Sequence, residues 1–224
     1  MKKMLLLAAF AFSASAAVAQ TGTSFFSTEK SSDPIAIGLR AGLNFNSLSD
    51  DADTDAKVGF RVGVEVDIPV WESLHIVPGL YFSTRPCKAE DNYYYDEGTE
   101  YNFSPSYLEL PVLASYRYQF NKDWAIRVDL GPYFAYGLGG KAKRTVYYED
   151  YYEEIREESG SEKLFSGSDH MLKRFDAGIV VGVGAIYKKF TATLNYQAGL
   201  ANIYNGKHDS FKNTGVYLNL GYNF

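Results

Sequence analysis

The chain has 224 residues, a single cysteine, and 27 acidic against 22 basic residues. This length serves one domain of ordinary size; the lone Cys87 excludes an internal disulfide or a cysteine-based metal cluster; and the acidic balance argues against nucleic acid, which selects a basic surface. Tyrosine (19) and phenylalanine (15) are abundant while tryptophan (2) is scarce, a composition suited to strands and membrane interfaces.

The amino-terminal stretch differs in kind from the rest. Lys2 and Lys3 precede a short apolar run from Met4 to Phe12, and Ala17-Val18-Ala19 places small residues before Gln20. This order predicts a secretory signal peptide over residues 1–19, cleaved after Ala19. Read as a transmembrane anchor, the apolar run is too short to cross ~30 Å as a helix. No cysteine lies near the cleavage site, so a lipid anchor is not expected. Cleavage leaves 20 basic against 27 acidic residues, a net charge near −7. Residues 20–33 then form an amino-terminal segment and residues 34–224 the folded domain.

Beyond the leader no apolar run reaches the ~18 residues of a membrane helix, and the dominant signal is a period of two. The first predicted strand sets Ile35, Ile37, Leu39, Ala41, Leu43 and Phe45 against Gly38, Arg40, Gly42 and Asn44. The second sets Val58, Phe60, Val62, Val64, Val66, Ile68 and Val70 against Gly59, Arg61, Gly63, Glu65, Asp67 and Pro69. That alternation is long for a globular strand and fits a tilted membrane strand. Six more follow, starting near Leu74, Leu108, Trp124, Phe175, Phe190 and Thr214. Their polar faces carry His75 and Arg85, then Glu109 and Arg117, then Arg127 and Asp129, then Arg174 and Asp176, then Thr193, Asn195 and Gln197, and finally Asn213 and Asn219.

The predicted connections alternate in length. Short turns lie at Trp71–Ser73, Asn121–Asp123 and Lys188-Lys189. Longer polar segments run over Asn46–Ala56, Pro86–Ser104, Leu138–Lys173 and Ala201–Ser210. Eight strands with short turns at one end and long loops at the other describe an all-β, antiparallel, up-and-down transmembrane barrel. A soluble lipocalin-like barrel also alternates, with its apolar face inward. Three features favour the membrane form. Aromatics gather near the short turns (Trp71, Phe120, Trp124, Tyr187, Phe190, Tyr222) and near the long loops (Phe45, Phe82, Tyr136, Phe175, Phe211), as two interfacial girdles would. Glycines fall mainly on the charged face, as a crowded lumen requires. Leu220, Tyr222 and Phe224 alternate to the last residue and resemble a carboxy-terminal signal read by the barrel-assembly machinery. Pro69, Pro78, Pro111 and Pro132 each delete a ladder hydrogen bond and are expected to mark bulges.

Ser106-Tyr107-Leu108-Glu109-Leu110-Pro111-Val112-Leu113, Gly131-Pro132-Tyr133-Phe134-Ala135-Tyr136 with Gly139-Gly140-Lys141, and Phe175-Asp176-Ala177-Gly178 together resemble the PorT-like outer-membrane β-barrel family of Bacteroidetes, a porin-type small barrel of OmpX/OmpA-like architecture. The resemblance spans about residues 34–224. It implies the barrel, makes Pro111 and Pro132 tolerable, and supplies no catalytic residues. Some relatives serve in secretion, a role that fold alone does not transfer.

The chemistry expected of such a chain lies in the lumen. An eight-stranded barrel is filled by side chains, and buried charges must pair. The candidate lumen network is Arg40, Arg61, Arg85, Arg117, Arg127 and Arg174 against Glu65, Asp67, Glu109, Asp129 and Asp176, read as a salt-bridged plug or, alternatively, as an ion path. Nothing in the sequence converges His75, His170 and His208 on a Ser/His/Asp set. Asp51, Asp53 and Asp55 begin a calcium-loop spacing, but Ala56 stands where glycine is needed and Val62 where the closing glutamate belongs, so a solvated acidic loop is expected. The Tyr- and acid-rich stretches at Asp91–Glu97 and Tyr147–Glu154 read either as partner-binding tips or as strand extensions. No catalytic, cofactor or metal site is predicted. The expected partners are outer-membrane lipids, the assembly machinery and an extracellular or envelope protein met through the long loops. Both termini are expected in the periplasm. A structural or surface-interaction role leads; a narrow channel or transport component is the alternative, and a lipid hydrolase or protease comes third.

Overall fold

A computed structural model describes residues 29–50, 54–92, 97–149, 155–165, 171–206 and 210–224. The leader, residues 20–28, the centre of the Asp50–Asp55 loop, residues 93–96 and 150–154, His170 and His208 lie outside the described residues.

Among the described residues twelve strands form. Eight make the barrel: β1 (Ala36–Asp50), β2 (Thr54–Pro69), β3 (Leu74–Thr84), β6 (Ser106–Gln119), β7 (Trp124–Gly139), β10 (Phe175–Tyr187), β11 (Phe190–Gly199) and β12 (Phe211–Asn223). They run β1-β12-β11-β10-β7-β6-β3-β2, and β2 pairs back with β1, so the barrel has no free edge. Every pairing is antiparallel. Closure satisfies each strand on both sides, as hydrocarbon requires.

The remaining strands correct the expectation of two long loops. The segment over 86–104 contains β4 (Cys87–Asn92) and β5 (Glu97–Phe103), and that over 138–173 contains β8 (Lys141–Glu149) and β9 (Ile155–Lys163). They extend a second sheet from the first residues of β2, in the order β2-β4-β5-β8-β9. Their sequences mix Tyr, Thr, Glu and Lys without one apolar face, so hydrophobic alternation fails to reveal them.

The short turns fall where the sequence places them. Asn121 closes one by accepting the Asp123 and Trp124 amides on Oδ1 at 2.9 and 3.0 Å. Lys188 takes a left-handed φ of 54°, which suits a two-residue hairpin. The prolines make no bulges. Pairs on either side of Pro78 and Pro111 keep one register and the ladder omits a few pairs instead; the register shift in the β6–β7 ladder falls between Ser106 and Tyr107. An omitted pair costs a ladder bond without turning side chains to the other face.

The apolar face is outside. Leu43, Val62, Leu110, Leu130, Val183, Leu194 and Leu218 are all about half exposed. Aromatic pairs ring the short-turn end, with Trp124–Tyr187 at 4.7 Å and Phe190–Tyr222 at 5.2 Å. Phe211 departs from the expected girdle: it packs against the interior cluster and stacks on Tyr204 at 4.4 Å.

That interior apolar cluster runs from Val77, Leu113 and Val180 within the barrel to a group of residues at the long-connection end. Leu48, Cys87, Phe103, Ala142, Leu164, Phe165, Leu172 and Ile203 are buried together. The inner face of the second sheet supplies Cys87, Phe103 and Ala142, which are neighbours across its ladder. Leu172 is held by a hydrogen bond to the Leu164 carbonyl at 3.1 Å, and Lys173 donates to the Ile203 carbonyl at 2.7 Å. The group at that end is a lid over the barrel mouth. Phe165 can close it because Gly137 has no side chain: a Cβ there would stand 2.6 Å from the ring.

Candidate functional site

The inward face beneath the lid carries the predicted charges, in three tiers. Each tier is assembled from strands distant in sequence, because period two turns every second residue inward.

At the short-turn end, Asp67 meets His75 Nδ1 at 2.8 Å and accepts a second bond from Arg117. This tier opens into a cavity of about 700 Å³ that includes His75, Arg117, Asp33, Lys122 and Lys188 in its wall. In the middle tier, Glu65 is bound by Arg40 Nε at 3.0 Å and lies 3.6 Å from Arg127 Nη1. Tyr81 donates its hydroxyl to the other Glu65 oxygen. Arg127 Nε also reaches Asp129 at 2.9 Å. In the third tier, Arg85 joins two acids: Glu109 at 2.9 Å and Asp176 at 2.6 Å. Arg61 approaches Glu109 from the other side at 3.5 Å. Tyr133 and Asn213 both donate to Asp176, at 3.1 and 3.0 Å.

Tyrosine rings fill the space between the ions. The Arg61 guanidinium lies 3.8 Å from the Tyr81 ring centre and 4.9 Å from that of Tyr217. Arg85 lies 4.8 Å from Tyr107 and 5.3 Å from Tyr133. Tyr81 and Tyr217 stand within the polar faces that start with His75 and end with Asn219, and Tyr107 and Tyr133 continue such faces by two residues, from Glu109 and from Gly131.

Ten of the eleven predicted lumen residues join these tiers. The exception is Arg174, which stands at the rim and donates to the Gly137 carbonyl at 2.7 Å, near the Phe165 and Tyr136 rings. It precedes β10 by one residue. Without it the tiers hold five arginines against five carboxylates, with His75 in addition. The opposite wall is neutral: Thr191, Thr193, Asn195, Gln197, Asn219, Asn44 and Asn46 are buried there, with Asn219 donating to Thr193 at 3.2 Å and Tyr217 to Asn46 at 2.7 Å.

Among the described residues no group of three His, Cys, Asp or Glu side chains is placed to hold a metal ion. Nor is any helix long and apolar enough to cross a membrane.

A family model for the outer membrane protein beta-barrel domain matches residues 18–205. The chain belongs to that family. It is an outer-membrane β-barrel protein, and the eight closed strands turn their apolar face outward. Among solved structures it is similar to Ail, the attachment invasion locus protein of Yersinia pestis, at 15% identity, covering 86% of this chain and 100% of that one with a TM-score of 0.40. It is also similar to Neisserial surface protein A, at 8% identity over 86% of this chain and 100% of the other, TM-score 0.36. The amino-terminal barrel domain of Pseudomonas aeruginosa OprF aligns at 12% identity over 84% and 97%, TM-score 0.28. No curated protein sequence matches the chain. The family match alone carries the assignment.

Proposed function

We propose that this barrel is a closed, non-catalytic surface protein whose business is interaction through the second sheet. The observation that carries the reading is the double closure of the lumen. Arg85, with its side chain fully buried, ties Glu109 to Asp176 across the interior, and the Leu172–Phe165–Ile203 lid covers the end above it. What protrudes is the sheet β4-β5-β8-β9, a platform of paired strands rather than an unpaired loop. In this reading the platform faces the exterior, the short turns and both termini face the periplasm, and residues 1–19 are a cleaved leader. N-terminal sequencing of protein recovered from outer membranes should begin at Gln20. Leu220, Tyr222 and Phe224 act as the assembly address. The motifs around Glu109-Leu110-Pro111 support the narrower placement with PorT-like barrels of Bacteroidetes.

A pull-down from intact outer membranes tests the reading. The full chain should retain a protein or glycolipid partner that a variant with a shortened β8–β9 hairpin loses, both variants remaining heat-modifiable on gels. Equal retention by both rejects the platform role.

A narrow conducting path is the second reading. It is favoured by Thr191 Oγ1, Asn195 Oδ1 and Asn219 Oδ1, buried atoms that have no hydrogen-bond partner among the described residues. Buried polar groups of this kind are normally satisfied by water, which would run along the neutral wall.

A further inference from the structure

Three lysines converge on one face of the second sheet. Lys141 and Lys163 are direct cross-strand partners in the β8–β9 ladder, and Lys143 stands two residues along β8 on the same face. All three are exposed. Directly opposed residues place their Cβ atoms roughly 4.5–5.5 Å apart, and like charges in that relation destabilise the sheet. Among the described residues none of the three has an ion-pair partner, although the chain carries more acids than bases. By contrast, Lys57 on β2 is bound to Asn102 on β5. No acid among the described side chains compensates this cluster.

Its surroundings are those of a ligand groove. A cavity of about 610 Å³ is lined by Ser104, Gly139, Gly140, Lys141, Lys163 and Phe165. Gly139 and Gly140 leave bare backbone at its floor, and a Cβ on Gly139 would meet nothing within 4 Å. Its height on the barrel is informative. Leu138, about half exposed, and Tyr136 before it are the last lipid-facing residues of β7. Lys141 follows Leu138 by three residues, roughly 10 Å of strand. A flexible lysine stem brings its ammonium back to the head-group layer.

We infer that Lys141, Lys143 and Lys163 form a binding site for the phosphomonoester of a membrane glycolipid in the outer leaflet. Lys141 and Lys163 in the groove wall, with Lys143 beside them on the same face, match a dianionic phosphate on a sugar, and the lipid-facing strand directly below takes the acyl chains. The inference rests on the orientation proposed above, with the second sheet outside.

Native mass spectrometry of the purified full-length barrel in detergent tests it, with lipid A 1,4′-bisphosphate, the same lipid dephosphorylated, and inorganic phosphate as probes. The wild type should retain the bisphosphate and bind the dephosphorylated lipid at least tenfold more weakly. At about fivefold per lysine near an anionic surface, the Lys141→Gln/Lys143→Gln/Lys163→Gln variant should bind it roughly 100-fold more weakly. The corresponding triple arginine variant should keep binding, which separates loss of charge from loss of fold. Equal binding by wild type and the glutamine variant overturns the site. Inorganic phosphate bound as tightly as the lipid overturns the lipid assignment. Orientation is read separately. Gly160→Cys, at a position with open space around its Cα, should react with an impermeant maleimide on intact cells. Labelling only after permeabilisation rejects the orientation, and with it the leaflet, while leaving the phosphate arm readable.

Discussion

Arg85 and Asp176 are 91 residues apart in sequence, yet their Nη1 and Oδ2 atoms meet at 2.6 Å in the centre of the barrel. The same guanidinium reaches Glu109 at 2.9 Å, so one cation holds two acids from two other strands. Buried pairs of this kind add little net stability over an apolar filling, but breaking one leaves an uncompensated charge. Arg85→Met strands two carboxylates; Asp176→Asn keeps the hydrogen-bonding shape and removes one charge. Arg85→Met should therefore cost about 3–5 kcal/mol, and Asp176→Asn clearly less. Urea titration in lipid vesicles gives the order directly, and a larger loss from Asp176→Asn would contradict the assignment of Arg85 as the shared cation.

The lid makes its own prediction. The Phe165 ring lies flush on Gly137, where a Cβ would come within 2.6 Å. Gly137→Ala should displace the ring and cost roughly 1–3 kcal/mol, as overpacking usually does. Phe165→Ala alone removes a buried ring and also destabilises. In the double variant the clash has no ring to strike, so the two losses should not add. The measurement is thermal unfolding of all four proteins; strict additivity would show that the two residues do not touch.

These two sites differ in how far the sequence revealed them. The lumen ions were legible because Arg61, Glu65 and Asp67, or Arg127 and Asp129, recur at every second position opposite an unbroken apolar face. Arg174 misled because alternation does not show how deep a residue at a strand end reaches: like Arg85 it lies one residue outside its strand, but its guanidinium is held at the rim by the Gly137 carbonyl. The lid was illegible for a different reason. Leu164, Phe165, Leu172 and Ile203 come from irregular chain between strands, and no period announces which loop residues will meet. The second sheet was hidden because both of its faces tolerate polar residues. Pro78 and Pro111 looked like bulges because sequence shows the missing donor, whereas the constant register is set by neighbours on both sides.

Cys87 belongs to the lid, buried on the inner face of the second sheet beside Phe103. Burial pushes its thiol up to about 12, against a smaller opposing pull from Lys57. At pH 8 almost no thiolate is present, and thiolate is the reactive form. Ellman's reagent should leave the folded barrel unlabelled at pH 8 and label one thiol per chain after denaturation. Rapid labelling of the native protein would mean that the lid opens on the timescale of the assay.

The closing mechanism predicts an asymmetry between single and double variants. The lumen is blocked twice, by ion-paired side chains within and by apolar side chains above, and each block suffices alone. Planar bilayers containing the wild type should show little steady conductance. Phe165→Ala opens the lid onto Arg85, Glu109 and Asp176, which still fill the cross-section, so it should remain nearly silent. Arg85→Met frees Glu109 and Asp176; it loosens the tier beneath the lid but leaves the lid in place, so it too should conduct little. Joined in one chain, the two changes remove the lid and the tie beneath it. Small, cation-favouring openings should then appear, because deleting one guanidinium leaves four arginines against five carboxylates. The selectivity follows from that charge count and can be read as a reversal potential in a salt gradient. Large, steady currents from the wild type would defeat the closed-barrel reading altogether and bring the channel reading to the front.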